Sequence, residues 1–175
     1  MMKRNVSRIL FLLVLISLIV SCNNNSSEAL TKWKTQNDTY FANMKDSVGW
    51  TYYIVPGGTN FGYYYKILKT GNATAASPGA TDNVTVNYKG KLITGEIFDA
   101  TYSGSNPISD TNATPRSFVV NQLIPGWTIN LAQMKVGEIR SIVLPQQLGY
   151  GEYGSGSILP YTVTLFDMQL ISVNK

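Results

Sequence analysis

The chain contains no histidine and a single cysteine, Cys22, and only 14% of its 175 residues are charged. Each scarcity closes off a class of chemistry. Without histidine there is no imidazole to move a proton at neutral pH and none to bind a metal. One cysteine cannot close an internal disulfide, and Cys22 ends an apolar amino-terminal run rather than joining other ligands. A metal would need an all-oxygen centre, and the ten acids have no calcium-loop spacing, so neither metal nor cofactor is expected. The formal charge of +4 also shrinks on inspection. Lys3, Arg4 and Arg8 lie in the amino-terminal segment, and setting those three aside leaves eleven basic residues against ten acidic. No basic stripe remains, so nucleic acid is not an expected partner.

What the chain does have begins at its amino terminus. Lys3, Arg4 and Arg8 precede an apolar run from Ile9 to Val20, which closes in Ile19-Val20-Ser21-Cys22. A basic start, a short apolar stretch and a small residue before a cut site read as a secretory signal peptide over residues 1–21. The run is short for a permanent membrane-spanning helix. With its cysteine directly after Ser21 the segment resembles a bacterial lipoprotein lipobox, which implies lipidation of Cys22. An ordinary signal peptide or an anchor helix is the alternative. Asn23-Asn24-Asn25-Ser26-Ser27 continues as a polar tether, placed at 22–28, with a composition that cannot bury a core.

About 150 residues remain, enough for one domain and a short extension. They are rich in apolar side chains, 44% over the whole chain, and in tyrosine, with 11 copies. Leu30, Trp33, Tyr40, Phe41, Met44 and Val48 recur at helical steps, with Ser26 or Ser27 as a cap. This Leu30–Met44 helix either docks on its own domain or makes a dimer or partner contact. Pro56-Gly57-Gly58 marks a loop across 49–62, and Tyr63 to Leu68 reads as a strand, so 29–79 forms a helical extension with a leading strand. From residue 80 to 175 the chain is strand-rich. Val84, Val86 and Tyr88 alternate with polar residues, and Glu138–Leu144 and Val163–Val173 follow as strands. Trp127, Leu131 and Met134 fall at helical steps between Gly126 and Gly137. The expected fold class is α+β, an antiparallel sheet with one short helix against it.

The densest information lies between Phe98 and Phe166. Phe98-Asp99, Leu123-Ile124-Pro125-Gly126-Trp127, Tyr150-Gly151, Ile158 and Phe166 set rings and branched side chains around one acid. Such a set can grip an apolar ligand, exclude water and offer one or two polar contacts. Rotation about a peptide bond needs no more. Its barrier of ~20 kcal/mol comes from amide resonance. At X-Pro bonds both isomers are populated. Twisting moves charge off the carbonyl oxygen, so a dry aromatic pocket favours the twisted amide over water. No bond is made and no proton moves.

Val84 to Leu92, Gly95-Glu96-Ile97-Phe98-Asp99, Phe118 with Ile124-Pro125-Gly126-Trp127, Met134 to Glu138, Leu144-Pro145 with Tyr150-Gly151, and Ile158-Leu159-Pro160 with Leu165-Phe166 resemble the FKBP-type peptidyl-prolyl isomerases in order and spacing. The resemblance implies a twisted antiparallel sheet wrapped around one short helix, with an amino-terminal helical extension here. It implies a pocket between helix and sheet with Trp127 as floor and Tyr88, Phe98 and Phe166 as aromatic walls. Leu123, Ile124 and Ile158 become aliphatic walls, Asp99 and Tyr150 the polar members, and the Ile124 backbone N–H the holder of a peptide carbonyl. The catalytic set is then Asp99, Tyr150 and Ile124. The lipobox with its extension resembles envelope-facing FKBP lipoproteins, those associated with gliding motility among them. The implied partners are proline-containing polypeptides of the bacterial cell envelope, reached from a lipid anchor at Cys22 on the periplasmic side of the outer membrane.

Taken singly, Asp99 could cap a turn, Trp127 could be core and Tyr88 a sheet tyrosine. Three departures stand out. The segment Thr101–Pro115 is longer and more polar than the family's connection. Arg116 occupies the register of an aromatic wall. Ser157 and Leu159 replace residues that are more apolar or cyclic in the family. Beside the isomerase, two readings stay open: a non-catalytic peptide-binding chaperone or assembly factor, and a lipoprotein that scaffolds a membrane machine through the Leu30–Met44 helix.

Overall fold

The computed structural model describes residues 26–57 and 61–175. The expected signal segment, Cys22, the first part of the expected tether and Gly58 lie outside the described residues. Helix α1 covers 26–43 and passes into a 3-10 turn at Met44–Asp46. Seven strands follow as β1 (Thr51–Ile54), β2 (Gly62–Lys69), β3 (Asn83–Lys91), β4 (Ile97–Ala100), β5 (Arg116–Val119), β6 (Ile139–Leu144) and β7 (Thr164–Asn174). Helix α2 (Pro125–Leu131) stands between β5 and β6. The strands form one antiparallel sheet in the order β1-β2-β6-β7-β3-β4, with β5 also paired to β3. This is the expected α+β architecture.

Alternation along each strand gives the sheet two unlike faces. Tyr63, Val84, Val86, Tyr88, Ile142, Leu144, Phe166, Met168 and Leu170 point to the first face and bury with Trp127, Leu131 and Met134 of the α2 region. At this interface the Arg140 Nε donates to Glu138 Oε1 at 2.7 Å, and Arg140 and Tyr63 both donate to Asn130 Oδ1. The buried ion pair is thereby hydrogen-bonded to α2, the condition under which buried charge is tolerated.

The second face carries Tyr64, Val143 and Leu165, which pack with Tyr40, Phe41 and Met44 from α1 and its 3-10 turn. The helical spacing of the extension is therefore spent on the chain's own sheet. Beyond α1 the second face turns polar. Lys89, Ser141 and Asp167 lie side by side, and Lys91 pairs with Asp167 at 2.6 Å. The 101–115 segment roofs this part. Lys89 Nζ donates to the Ser103 and Gly104 carbonyls and lies 4.4 Å from the Tyr102 ring centre. Asp110 ties the roof to itself, accepting from the Ser103 N–H and hydroxyl and from the Asn112 N–H. These bonds hold its carboxyl below the usual carboxylate range.

Four local expectations change. Residues 51–54, expected in a loop, form β1 because they pair in register with Gly62–Tyr65. Residues 26–28, expected as tether, belong to α1, so Ser26 and Ser27 lie within the helix rather than before it. Val48 leaves the helical pattern and is exposed, since the chain has already turned toward β1. The regular part of α2 stops at Leu131, and Met134 reaches the core from the turn that follows.

Candidate functional site

A cavity of about 290 Å³ opens between α2 and the first face of the sheet. Tyr88, Phe98, Asp99, Leu123, Ile124, Trp127, Tyr150 and Phe166 all line it, joined by Arg116, Phe118 and Gln122. Strands β3, β4, β5 and β7, helix α2 with its lead-in, and the connection after β6 converge here because of local sequence devices. Gly90 is paired with Asp99, and Lys91 with Ile97, which leaves Phe98 as an extra residue in β4. A bulge of this kind breaks the strict alternation of a strand. It lets Phe98 and Asp99, neighbours in sequence, both reach the same cavity. Gly90 makes the room: a Cβ there would lie 2.5 Å from Phe98 and 2.9 Å from Phe166.

Trp127 is held at the cavity base by three rings. Tyr88, Phe166 and Phe118 meet it nearly at right angles, with centroids 4.9, 5.2 and 6.1 Å away. Edge-to-face contacts of this kind add about 0.5–1.5 kcal/mol each beyond burial. Gly126 brings the helix start close to β6, since a Cβ would sit 2.5 Å from Leu144. The close approach that this glycine permits is thus to the core. The Trp127 indole N–H is buried without a hydrogen-bond partner among the described residues.

The polar end of the cavity is a three-residue network. The Tyr88 hydroxyl donates to Asp99 Oδ2 at 2.5 Å. Arg116 NH1 donates to the Tyr88 oxygen at 2.7 Å and to both Asp99 oxygens at 3.0 and 3.2 Å. Burial pushes the Tyr88 hydroxyl far above the usual tyrosine range, and its bond to the Asp99 carboxylate pushes the same way. The acid is therefore matched to a cation and a hydroxyl at the solvent-facing edge of the cavity. Tyr88 is both a wall and a donor already engaged.

Besides the Trp127 indole N–H, the Tyr150 hydroxyl and the Ile124 N–H are unengaged. The Tyr150 hydroxyl has no hydrogen bond among the described residues, and burial, then the Asp99 charge, raises its pKa. The Tyr150 ring stands edge-on to Phe98 at 6.2 Å. The Ile124 N–H, at the residue that caps α2, likewise meets no acceptor among the described residues. The cavity thus offers rings, an ion pair held at its edge, and unengaged donors on Trp127, Ile124 and Tyr150.

A family model described as FKBP-type peptidyl-prolyl cis-trans isomerase matches residues 74–171. The chain belongs to this family. It is 40% identical over 117 residues to the FKBP-type isomerase FkpA of Aeromonas hydrophila, which covers 67% of this chain and 40% of that protein. To the outer membrane protein MIP of Legionella longbeachae it is 36% identical over 143 residues, 81% of this chain and 54% of the other. Its fold superposes on the crystal structure of FkpA from Escherichia coli with a TM-score of 0.71 at 26% identity, over 99% of this chain and 74% of that one. The chain spans about half the length of the curated relatives it matches.

Against the FKBP pattern, one expected wall moves. Ile158 is buried but does not line the cavity. Its N–H and carbonyl close a tight turn with Ser155, both bonds 2.9 Å, and its carbonyl would lie 2.1 Å from a Cβ on Gly154. The FKBP departures also find places. The long 101–115 segment roofs the second face and contributes no lining residue. Arg116, in the register of an aromatic wall, becomes the cation of the polar network. Its signal was present: Phe118 lies two residues on, and alternate residues of a strand share a face. Gln122 had no such signal.

Proposed function

We propose that this protein accelerates cis-trans isomerisation of X-Pro bonds in polypeptides of the bacterial cell envelope. In this reading residues 1–21 are removed and a lipid on Cys22 holds the mature chain to the outer membrane. Residues 29–79 lead into an isomerase domain at 80–175 that faces the periplasm. The outer-membrane name of the Legionella longbeachae relative supports the location. The lipobox pattern around Cys22 supports the anchor.

The observation that carries the activity is the pairing of a ring-lined cavity with an unengaged Ile124 N–H and Tyr150 hydroxyl. The proline ring enters over Trp127, between Phe98, Phe118 and Phe166. The Ile124 N–H holds a peptide carbonyl so that one side of the bond cannot follow the rotation. As the amide twists, its carbonyl loses charge and its nitrogen gains lone-pair character. The desolvated cavity favours that less polar form. Asp99, fixed by Tyr88 and Arg116, supplies a field beside the rotating group, and Tyr150 supplies an adaptable donor. Each ~1.4 kcal/mol of preference for the twisted form is worth tenfold in rate.

The test is a prolyl-peptide isomerisation assay on the full-length protein in detergent. Turnover by wild type that falls in Asp99→Ala and Tyr150→Phe supports the reading. Suppression of aggregation with no turnover by wild type would replace it with the peptide-binding chaperone.

A further inference from the structure

Helix α1 makes an unusual set of contacts at one place on the domain. The Trp33 Nε1–H donates to Thr162 Oγ1 at 3.0 Å. One turn on, Asn37, fully buried, accepts from the Val163 N–H at 2.8 Å while its own amide donates to the Trp33 carbonyl. Lys34 lies 5.6 Å from the centre of the Tyr161 ring. Three successive residues, 161–163, are thus gripped by three residues of one helix, 33, 34 and 37. The segment needs a grip. Tyr161 is the one non-glycine residue with positive φ among the described residues, at 63°. A tyrosine stays in that conformation only where its surroundings impose it.

The same segment holds the cavity. The Tyr161 N–H donates to the Gly151 carbonyl at 3.0 Å, and Gly151 directly follows Tyr150, whose ring and hydroxyl line the cavity. The Thr162 hydroxyl, which accepts from Trp33, donates in turn to Leu159 O at 2.6 Å, at the end of the tight turn that starts at Ser155. Hydrogen bonds from α1 thus anchor residues 162 and 163, and the adjoining Tyr161 N–H ties the same backbone to Gly151 beside Tyr150.

We propose that α1 is an internal brace of the cavity, and that Trp33 and Asn37 are positioning residues for Tyr150. Neither touches the cavity. They act by fixing the 159–163 segment in its strained form, which places Gly151 and hence the Tyr150 ring against Phe98. This rests on the isomerase reading only for its kinetic consequence. The geometric consequence stands alone.

The experiment uses full-length wild type, Trp33→Phe, Asn37→Ala and Tyr64→Ala. Trp33→Phe keeps an aromatic ring but loses the indole N–H with its five-membered ring, a milder change that guards against misfolding of Asn37→Ala. Tyr64→Ala loosens α1 where Phe41 packs at 5.2 Å, in the apolar cluster that also holds Val163, and removes none of the hydrogen bonds to 161–163. Amide exchange by NMR is the first readout. The Tyr161 N–H is expected to exchange roughly three- to tenfold faster in Trp33→Phe and Asn37→Ala, the loss of about one hydrogen bond. The Tyr150 ring resonances should shift in both, the Met168 amide in mid-sheet should not change, and Tyr64→Ala should leave Tyr161 and Tyr150 as in wild type. The second readout is kcat/KM on a prolyl peptide, expected to fall in Trp33→Phe and Asn37→Ala but by less when Tyr150→Phe is already present. Unchanged Tyr161 exchange and Tyr150 resonances in both variants overturn the brace, whatever the activity. A Tyr64→Ala variant that disturbs Tyr150 equally overturns it too, because any loosening of α1 would then suffice. A wild type without turnover overturns the isomerase reading, and the exchange data still decide the brace.

Discussion

On the α2 side of the sheet, Val84, Val86, Tyr88, Ile142, Phe166 and Met168 form an almost wholly apolar floor, and the cavity opens where β4 bulges over it. On the other side the intervening residues Asn87, Lys89, Ser141 and Asp167 are buried or half-buried polar groups, roofed by a loop. The first face hides apolar surface and keeps one opening for a ligand. The second hides polar groups, each of which must find a partner within the chain. The long 101–115 segment supplies those partners. A long polar loop next to a site in sequence is therefore not a lid over the site: its root in Lys89 faces the opposite way from Tyr88, one residue before it.

The contrast can be broken at its strongest point first. Trp127→Ala should lower unfolding free energy by about 3–5 kcal/mol and abolish turnover, because it removes the ring that three others meet. Urea denaturation checks the first effect, and retention of full activity would show that the ring is core alone. Gly90→Ala, where the new methyl would meet Phe98 and Phe166, should cost about 1–3 kcal/mol and lower activity with it. If activity held while stability fell, the Phe98 wall would be dispensable. Asp99→Ala should reduce kcat/KM roughly tenfold or more. Asp99 and Arg116 are both well exposed, so stability should change by less than about 1 kcal/mol. On the second face, Lys89→Met should cost about 1 kcal/mol by releasing the Ser103 and Gly104 carbonyls. It should leave turnover as in wild type, and a matching fall in turnover would mean that the two faces are coupled. The smallest effect is no effect. Without histidine, and with both cavity tyrosines pushed upward so that they stay protonated, kcat/KM should be flat between about pH 6 and 8. A stopped peptide assay across that range would expose any titrating group.

Legibility followed the range of the physical cause. Strands β3 and β7 were readable because a half-buried strand writes its alternation into consecutive residues, whereas β6, buried along its whole length, read only as a short apolar-rich run. Strand β1 was not readable, because Thr51–Ile54 carries no alternation and becomes a strand only by pairing with β2. Most of the cavity lining was readable as a family motif. Phe98 and Asp99 were expected together, but the bulge that turns both inward depends on the register of β3 against β4. Ile158 was misplaced for the opposite reason. Its motif position was clear, while the turn it makes with Ser155 depends on Gly154 and Gly156 adopting positive φ in this particular connection.

Composition alone determined that this chain has no imidazole and no thiol other than that of Cys22, and local periodicity determined most of its strands. The partners of Asp99, the destination of the 101–115 loop and the grip of α1 on residues 161–163 were decided only in three dimensions. They depend on which side chains meet after distant segments pair. Such meetings are set by strand register and by the need to satisfy buried polar groups, neither of which any short stretch of residues contains.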